Sequence, residues 1–211
     1  MRFQDRQEAA GKLVQALAGY RGQNPLVLAV PRGAVPMGRV IADALDGELD
    51  VVLVRKLGAP GNPELAVGSV DEGGHMYIAE HARAMGISDS YLEHEKQAQI
   101  ETMRQRRAQY TPVRAPINPA GRVVIVVDDG LATGSTMIAA LRAVRARKPK
   151  KLIAAVAVAP PETLVRMRPE ADDVVCLHAP ESFYAVGQFF VDFPQVSDTE
   201  VIATLQSGDA N

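Results

Sequence analysis

The sequence predicts an α/β protein, a parallel β-sheet covered by helices on both faces, and three observations lead there. Short aliphatic runs recur at 26–30, 50–54, 123–127, 152–159 and 173–177. Segments with helical periodicity separate most of them. The runs are continuous rather than alternating, as strands buried on both faces are.

Taken in order, residues 5–19 place Ala10, Leu13, Val14 and Leu17 on one helical face, with Asp5 and Glu8 at capping-box spacing. "LVLAV" (26–30) is a buried strand bounded by prolines, and a helix follows from about Pro36, a residue suited to a first helical turn. "DVVLV" (50–54) is a second buried strand. "ELAVGSVDEGGHMYIA" (64–79) reads as a hairpin turning at Asp71–Gly74. Residues 88–109 form a long polar helix, with Ser90 and Glu93 at capping-box spacing and Arg104, Arg106 and Arg107 late, where they suit the helix dipole. Its thin apolar stripe puts it on the surface or against a partner. "YTPVRAPINPAG" (110–121) is a Pro-rich connector. Strand 123–127, a helix over 134–147 and strand 152–159 make a βαβ unit. A short helix at 161–168, strand 173–177 and a last helix near 198–206 complete one domain spanning 1–211.

Composition excludes several classes. The 211 residues are 47% hydrophobic and 23% charged, with a formal net charge of −2. That balance supports one buried core and gives no basic face for nucleic acid. No apolar run approaches the roughly 20 residues of a membrane helix, and MRFQDRQEAAGKL lacks the apolar core of a secretion signal. A single cysteine, Cys176, rules out an internal disulfide framework and suits a reducing cytoplasm. His75, His81, His94 and His178 have no paired metal-ligand spacing.

The chemistry concentrates in "VVIVVDDGLATGSTM" (123–137). Ligands of open parallel sheets bind beyond the carboxyl ends of the strands, where Asp128 and Asp129 are expected. Capping a helix needs one carboxylate; two adjacent ones repel unless something compensates them. The helix N-terminus at Gly134–Thr136 offers outward N–H groups and dipole to an anion. Hydroxyls of Thr133, Ser135 and Thr136 add donors, and Gly134 allows close backbone approach. Carboxylates suit vicinal sugar hydroxyls or a hydrated Mg²⁺, so a sugar 5-phosphate fits. Neither a P-loop nor the dinucleotide-binding glycine spacing is present.

This stretch resembles the phosphoribosyl-diphosphate (PRPP) motif of type I phosphoribosyltransferases: an aliphatic strand, two acids, a short apolar step, then Thr-Gly and small hydroxyl residues. The resemblance implies a Rossmann-like sheet with a flexible-loop or helical insertion over 75–121 and a C-terminal hood over 178–211. It implies that Asp128 and Asp129 hold the ribose hydroxyls and, directly or through them and water, Mg²⁺, while Ala132, Thr133, Gly134, Ser135 and Thr136 wrap the 5-phosphate. Arg32-Gly33 in "VPRGAVPMG" (30–38) matches the pyrophosphate turn, where Gly33 would permit a strained or cis backbone; a plain strand-to-helix turn is the other reading. Lys56, with Arg55 the weaker candidate, matches the basic residue directed at pyrophosphate. Members acting on 6-oxopurines carry a third acid where this chain has Ala132, as in the adenine-specific pattern.

The expected activity is transfer from PRPP to a nitrogen acceptor resembling a nucleobase, in a cytoplasmic homodimer, with Asp128, Asp129 and Lys56 as catalytic residues. The rival is a silent PRPP sensor of the same fold. Arg104, Arg106 and Arg107 either reach pyrophosphate or solvate a helix end. The aromatic stretch "ESFYAVGQFFVDFP" (181–194) either stacks the acceptor or packs a core or dimer contact.

Overall fold

Asp5 starts the first helix as its spacing predicts. The Glu8 N–H donates to Asp5 Oδ1 at 2.8 Å, although the Glu8 carboxylate returns to the N–H of Gln4 rather than Asp5. The computed structural model describes residues 1–112 and 116–207; residues 113–115 of the connector and 208–211 of the tail lie outside the described residues.

The elements run α1 (Arg6–Ala16), β1 (Leu26–Ala29), α2 (Ala34–Ala44), β2 (Glu48–Val51), β3 (Val54–Ala59), β4 (Asn62–Asp71), β5 (Met76–Ile78), α3 (Glu80–Ala84), α4 (Asp89–Tyr110), β6 (Val123–Asp128), α5 (Ser135–Ala146), β7 (Lys151–Val158), α6 (Pro161–Met167), β8 (Asp173–His178) and α7 (Asp198–Gln206). Five strands form a parallel sheet in the order β2-β1-β6-β7-β8. Strands β1, β2, β6 and β7 are buried on both faces, their side chains alternating across the sheet, whereas the edge strand β8 is only partly buried. Val27, Ala29, Ile125 and Val127 join the core shared with α1 and α2, whereas Leu26, Leu28, Val124 and Val126 pack toward α5 and α6. The connection order reverses between β1 and β6, and such a switch point opens a crevice at the strands' carboxyl ends.

The apolar run 50–54 is not one strand. β2 ends at Val51 and the chain crosses into a second, antiparallel sheet, β3-β4-β5. Both flanking segments are buried, so the sequence reads as uninterrupted. The hairpin turn falls at Asp71–Gly74: the Gly74 N–H donates to Asp71 O at 3.0 Å, and Gly74 has φ +84°. α2 begins two residues before Pro36, which still sits in the first turn, where its missing N–H costs no bond. Ser88, not Ser90, caps α4, accepting from the Tyr91 N–H.

α4 lies against β3 and β4 and is anchored near its end. Arg107 donates to Asp50 Oδ1 at 2.7 Å, to both Glu72 oxygens and to Val51 O. The C-terminal aromatics are mostly core: Phe189 and Phe190 are buried, while Tyr184 is exposed. Phe3 pairs alongside Phe190, with Phe3 N–H donating to Phe189 O and Val191 N–H to Phe3 O. The amino-terminal segment thereby fastens residues 189–192. Among the described residues no helix is long and apolar enough to cross a membrane.

Candidate active site

β6, the central strand, carries five buried aliphatics to the carboxyl end of the sheet and delivers Asp128 and Asp129 there. Register places Ala29 beside Val127, so two residues further on the Pro31–Gly33 turn faces Asp129. The peptide bond between Pro31 and Arg32 is cis, within the turn where an unusual backbone is expected from the sequence. Gly33 itself is in ordinary right-handed conformation, with φ −55°. Its glycine serves proximity instead: a Cβ there would stand 2.2 Å from Asp129 Oδ2.

The two acids have different surroundings. Asp128 receives the Asp129 N–H at 2.9 Å. Burial, then the charge of Asp129, raises its carboxyl well above the usual range. Burial also raises Asp129, against the pull of Arg6, whose Nε donates to Asp129 Oδ2 at 2.8 Å. Arg6 was not legible in the sequence, being 123 residues away on α1.

Beyond the acids, Gly134 adopts φ +70° and opens α5. A Cβ at Gly134 would lie 2.6 Å from Thr163 Cγ2. Residues 132–136 are braced from α6: Thr163 donates to Ala132 O and Arg166 to Thr133 O, each at 2.6 Å. The hydroxyls of Thr133 and Ser135 meet at 3.1 Å. The first N–H groups of a helix have no partner within it, so this turn presents donors to an anion. Neither Thr163 nor Arg166 stood out in the sequence.

Arg55 and Lys56 are consecutive on β3 and so point to opposite faces. Arg55, with Pro31, Arg106 and Thr136, lines a cavity of about 70 Å³, and Gln99 accepts from its Nε at 2.9 Å. Lys56 instead lines an open cavity of about 430 Å³ with Ser135, Arg142 and Arg166. By chain position Lys56 stands apart from the 132–136 turn; the fold brings it to the same cavity as Ser135. Arg32 reaches Asp198 at 3.5 Å. Of the late α4 arginines, Arg106 meets the cavity, Arg107 is spent on buried Asp50 and half-buried Glu72, and Arg104 pairs with Glu101. Cys176 is partly buried, and burial pushes its thiol up, away from reactivity.

The phosphoribosyl transferase domain family matches residues 2–194. The chain belongs to that family. Two proteins of Mycobacterium tuberculosis, from strains CDC 1551 and H37Rv and both named provisionally as phosphoribosyl transferases, are 38% identical over 204 residues. The alignment covers 96% of this chain and 46% of each relative, so this family member spans about half the length of those relatives. The crystal structure of TT1426 from Thermus thermophilus is 45% identical, superposes with a TM-score of 0.90, and matches 99% of both chains.

Proposed function

We propose that this family member transfers the ribosyl 5-phosphate group of PRPP to a nitrogen of a small, nucleobase-like acceptor. The observation that carries the reading is the meeting, at the β1/β6 switch point, of an acid pair, a phosphate-accepting helix turn and the Pro31–Gly33 turn. Asp128 and Asp129 receive the ribose hydroxyls. Ala132 to Thr136 enclose the 5-phosphate by backbone N–H and hydroxyl donors, and Lys56 adds charge beside Ser135. Arg32, Gly33 and Arg55 face the pyrophosphate.

In the transfer, the acceptor nitrogen forms a bond to ribose C1 as the bond from C1 to the pyrophosphate oxygen breaks. The bonding electrons leave with pyrophosphate, and the acceptor's proton passes to it or to water. Such chemistry asks for positioning and charge stabilisation rather than a nucleophilic side chain. The donor set suits Mg²⁺, which favours one or two carboxylates together with substrate phosphates and water. Asp128 and Asp129 would hold it, directly or through the ribose hydroxyls, and when bound it supplies neutralising charge to pyrophosphate.

Ala132 supplies no acid toward the base, which favours acceptors outside the 6-oxopurines. A homodimer is part of this reading, with exposed Leu65, Met76 and Met85 offering apolar surface, and the single cysteine suits a reducing, cytoplasmic setting. The test is incubation of PRPP and Mg²⁺ with purines, pyrimidines and small amines, following pyrophosphate release. Acceptor-dependent release supports the transferase. PRPP binding with no release from any acceptor would favour the sensor.

A further inference from the structure

Arg6 makes more contacts than an ordinary first-turn residue. Its Nε donates to Asp129 Oδ2 at 2.8 Å, with both side chains 13% exposed. Its Nη1 donates to Pro194 O at 2.7 Å, and its guanidinium lies 3.8 Å over the Phe193 ring. Phe193 stacks on Phe190 at 4.6 Å, and Phe190 meets Phe3 at 5.4 Å. The pair fills the space beside Gly33, where a Cβ would come within 3.2 Å of Arg6 Nη2.

An aspartate carboxylate rotates through a broad range about its last torsion, so its direction must come from a partner. Beside backbone N–H groups at Asp129 and Gly130, the side-chain partner here is a planar fork, clamped on one side by an aromatic face and on another by a backbone carbonyl. We infer that Arg6 is a positioning residue for the sugar site: it holds one oxygen of Asp129 so that the other receives a ribose hydroxyl, and it ties that orientation to the aromatic segment 189–194. This rests on the reading of Asp129 as a ribose-binding acid. Lysine supplies the charge without the fork, so it replaces Arg6 only in part. Were Arg6 instead a plug that the sugar displaces, its removal would tighten binding.

The experiment titrates the full chain, as wild type, Arg6→Ala and Arg6→Lys, with ribose 5-phosphate and separately with inorganic phosphate. Phosphate needs only the 132–136 turn, which Arg6 does not touch, so it reports an intact fold. Arg6→Ala is expected to weaken ribose 5-phosphate about tenfold, the scale of one charge-assisted contact, and to leave phosphate affinity unchanged. Arg6→Lys should recover part of the loss. Unchanged or tighter sugar-phosphate binding in Arg6→Ala overturns the inference alone. Equal loss of both ligands overturns it as well, assigning Arg6 to the fold. A wild type that binds ribose 5-phosphate no better than phosphate removes the sugar-site reading itself, and the inference with it.

Discussion

In an unfolded chain the Asp128 carboxyl ionises near 3.8, and burial beside Asp129 moves it well above that in the fold. A carboxyl raised by folding contributes stability below the unfolded value, and that contribution is lost as pH rises through the folded value. At neutral pH the acid pair therefore works against the fold. Asp128→Asn should raise the thermal midpoint by a few degrees, at roughly 2–4 °C per kcal/mol for a chain of this size, while weakening sugar-phosphate binding. Thermal unfolding beside calorimetry checks both; a midpoint that drops would show that the carboxylate supports the fold. Gly134→Val should fail differently, because its φ of +70° and the nearby Thr163 Cγ2 exclude a branched side chain. Strain of about 1–3 kcal/mol is expected, together with lost phosphate binding; a folded variant that titrates phosphate normally would put the anion elsewhere. The acid pair and Gly134 were legible in the sequence because strand, acids and turn are contiguous. Arg6 was not, because only tertiary folding brings it to Asp129.

Among the elements, the continuous parallel strands and the helices between them were legible, since burial and period are local properties. The division of 50–54 between two sheets was hidden, because a buried crossover is as apolar as a strand. Sequence position alone would set Arg55 and Lys56 side by side toward one phosphate, whereas alternation along β3 sends them to different cavities. The link between α4 and α7 was equally invisible: fully buried Tyr110 donates to Asp198 Oδ1 at 2.6 Å. Burial, then the Asp198 partner, pushes the phenol up from 10.0 to about 12. A phenol raised by folding contributes stability that is full below pH 10 and lost as pH climbs toward about 12. Denaturant midpoints should therefore fall across that window in the wild type and fall less in Tyr110→Phe. Identical slopes for the two proteins would show that Tyr110 ionises as freely folded as unfolded.

At the scale of the molecule, no sequence pattern reports strand order, and it is the order β2-β1-β6-β7-β8 that sets the Pro31–Gly33 turn against the acid pair. The aromatic stretch left two readings open; most of its rings are spent on packing, and Arg6 and Phe3 bind that packing to the site. On this reading the crevice is built for a sugar carrying phosphate at one end and pyrophosphate at the other. Calorimetric titration of the wild type with PRPP plus Mg²⁺, beside ribose 5-phosphate plus Mg²⁺, decides the matter. Charge-assisted contacts from Arg32 and Arg55 should make PRPP at least about tenfold tighter, and Asp129→Asn should weaken both ligands. Equal affinity for the two sugar phosphates, or binding indifferent to Asp129→Asn, would show that the crevice is not built for PRPP.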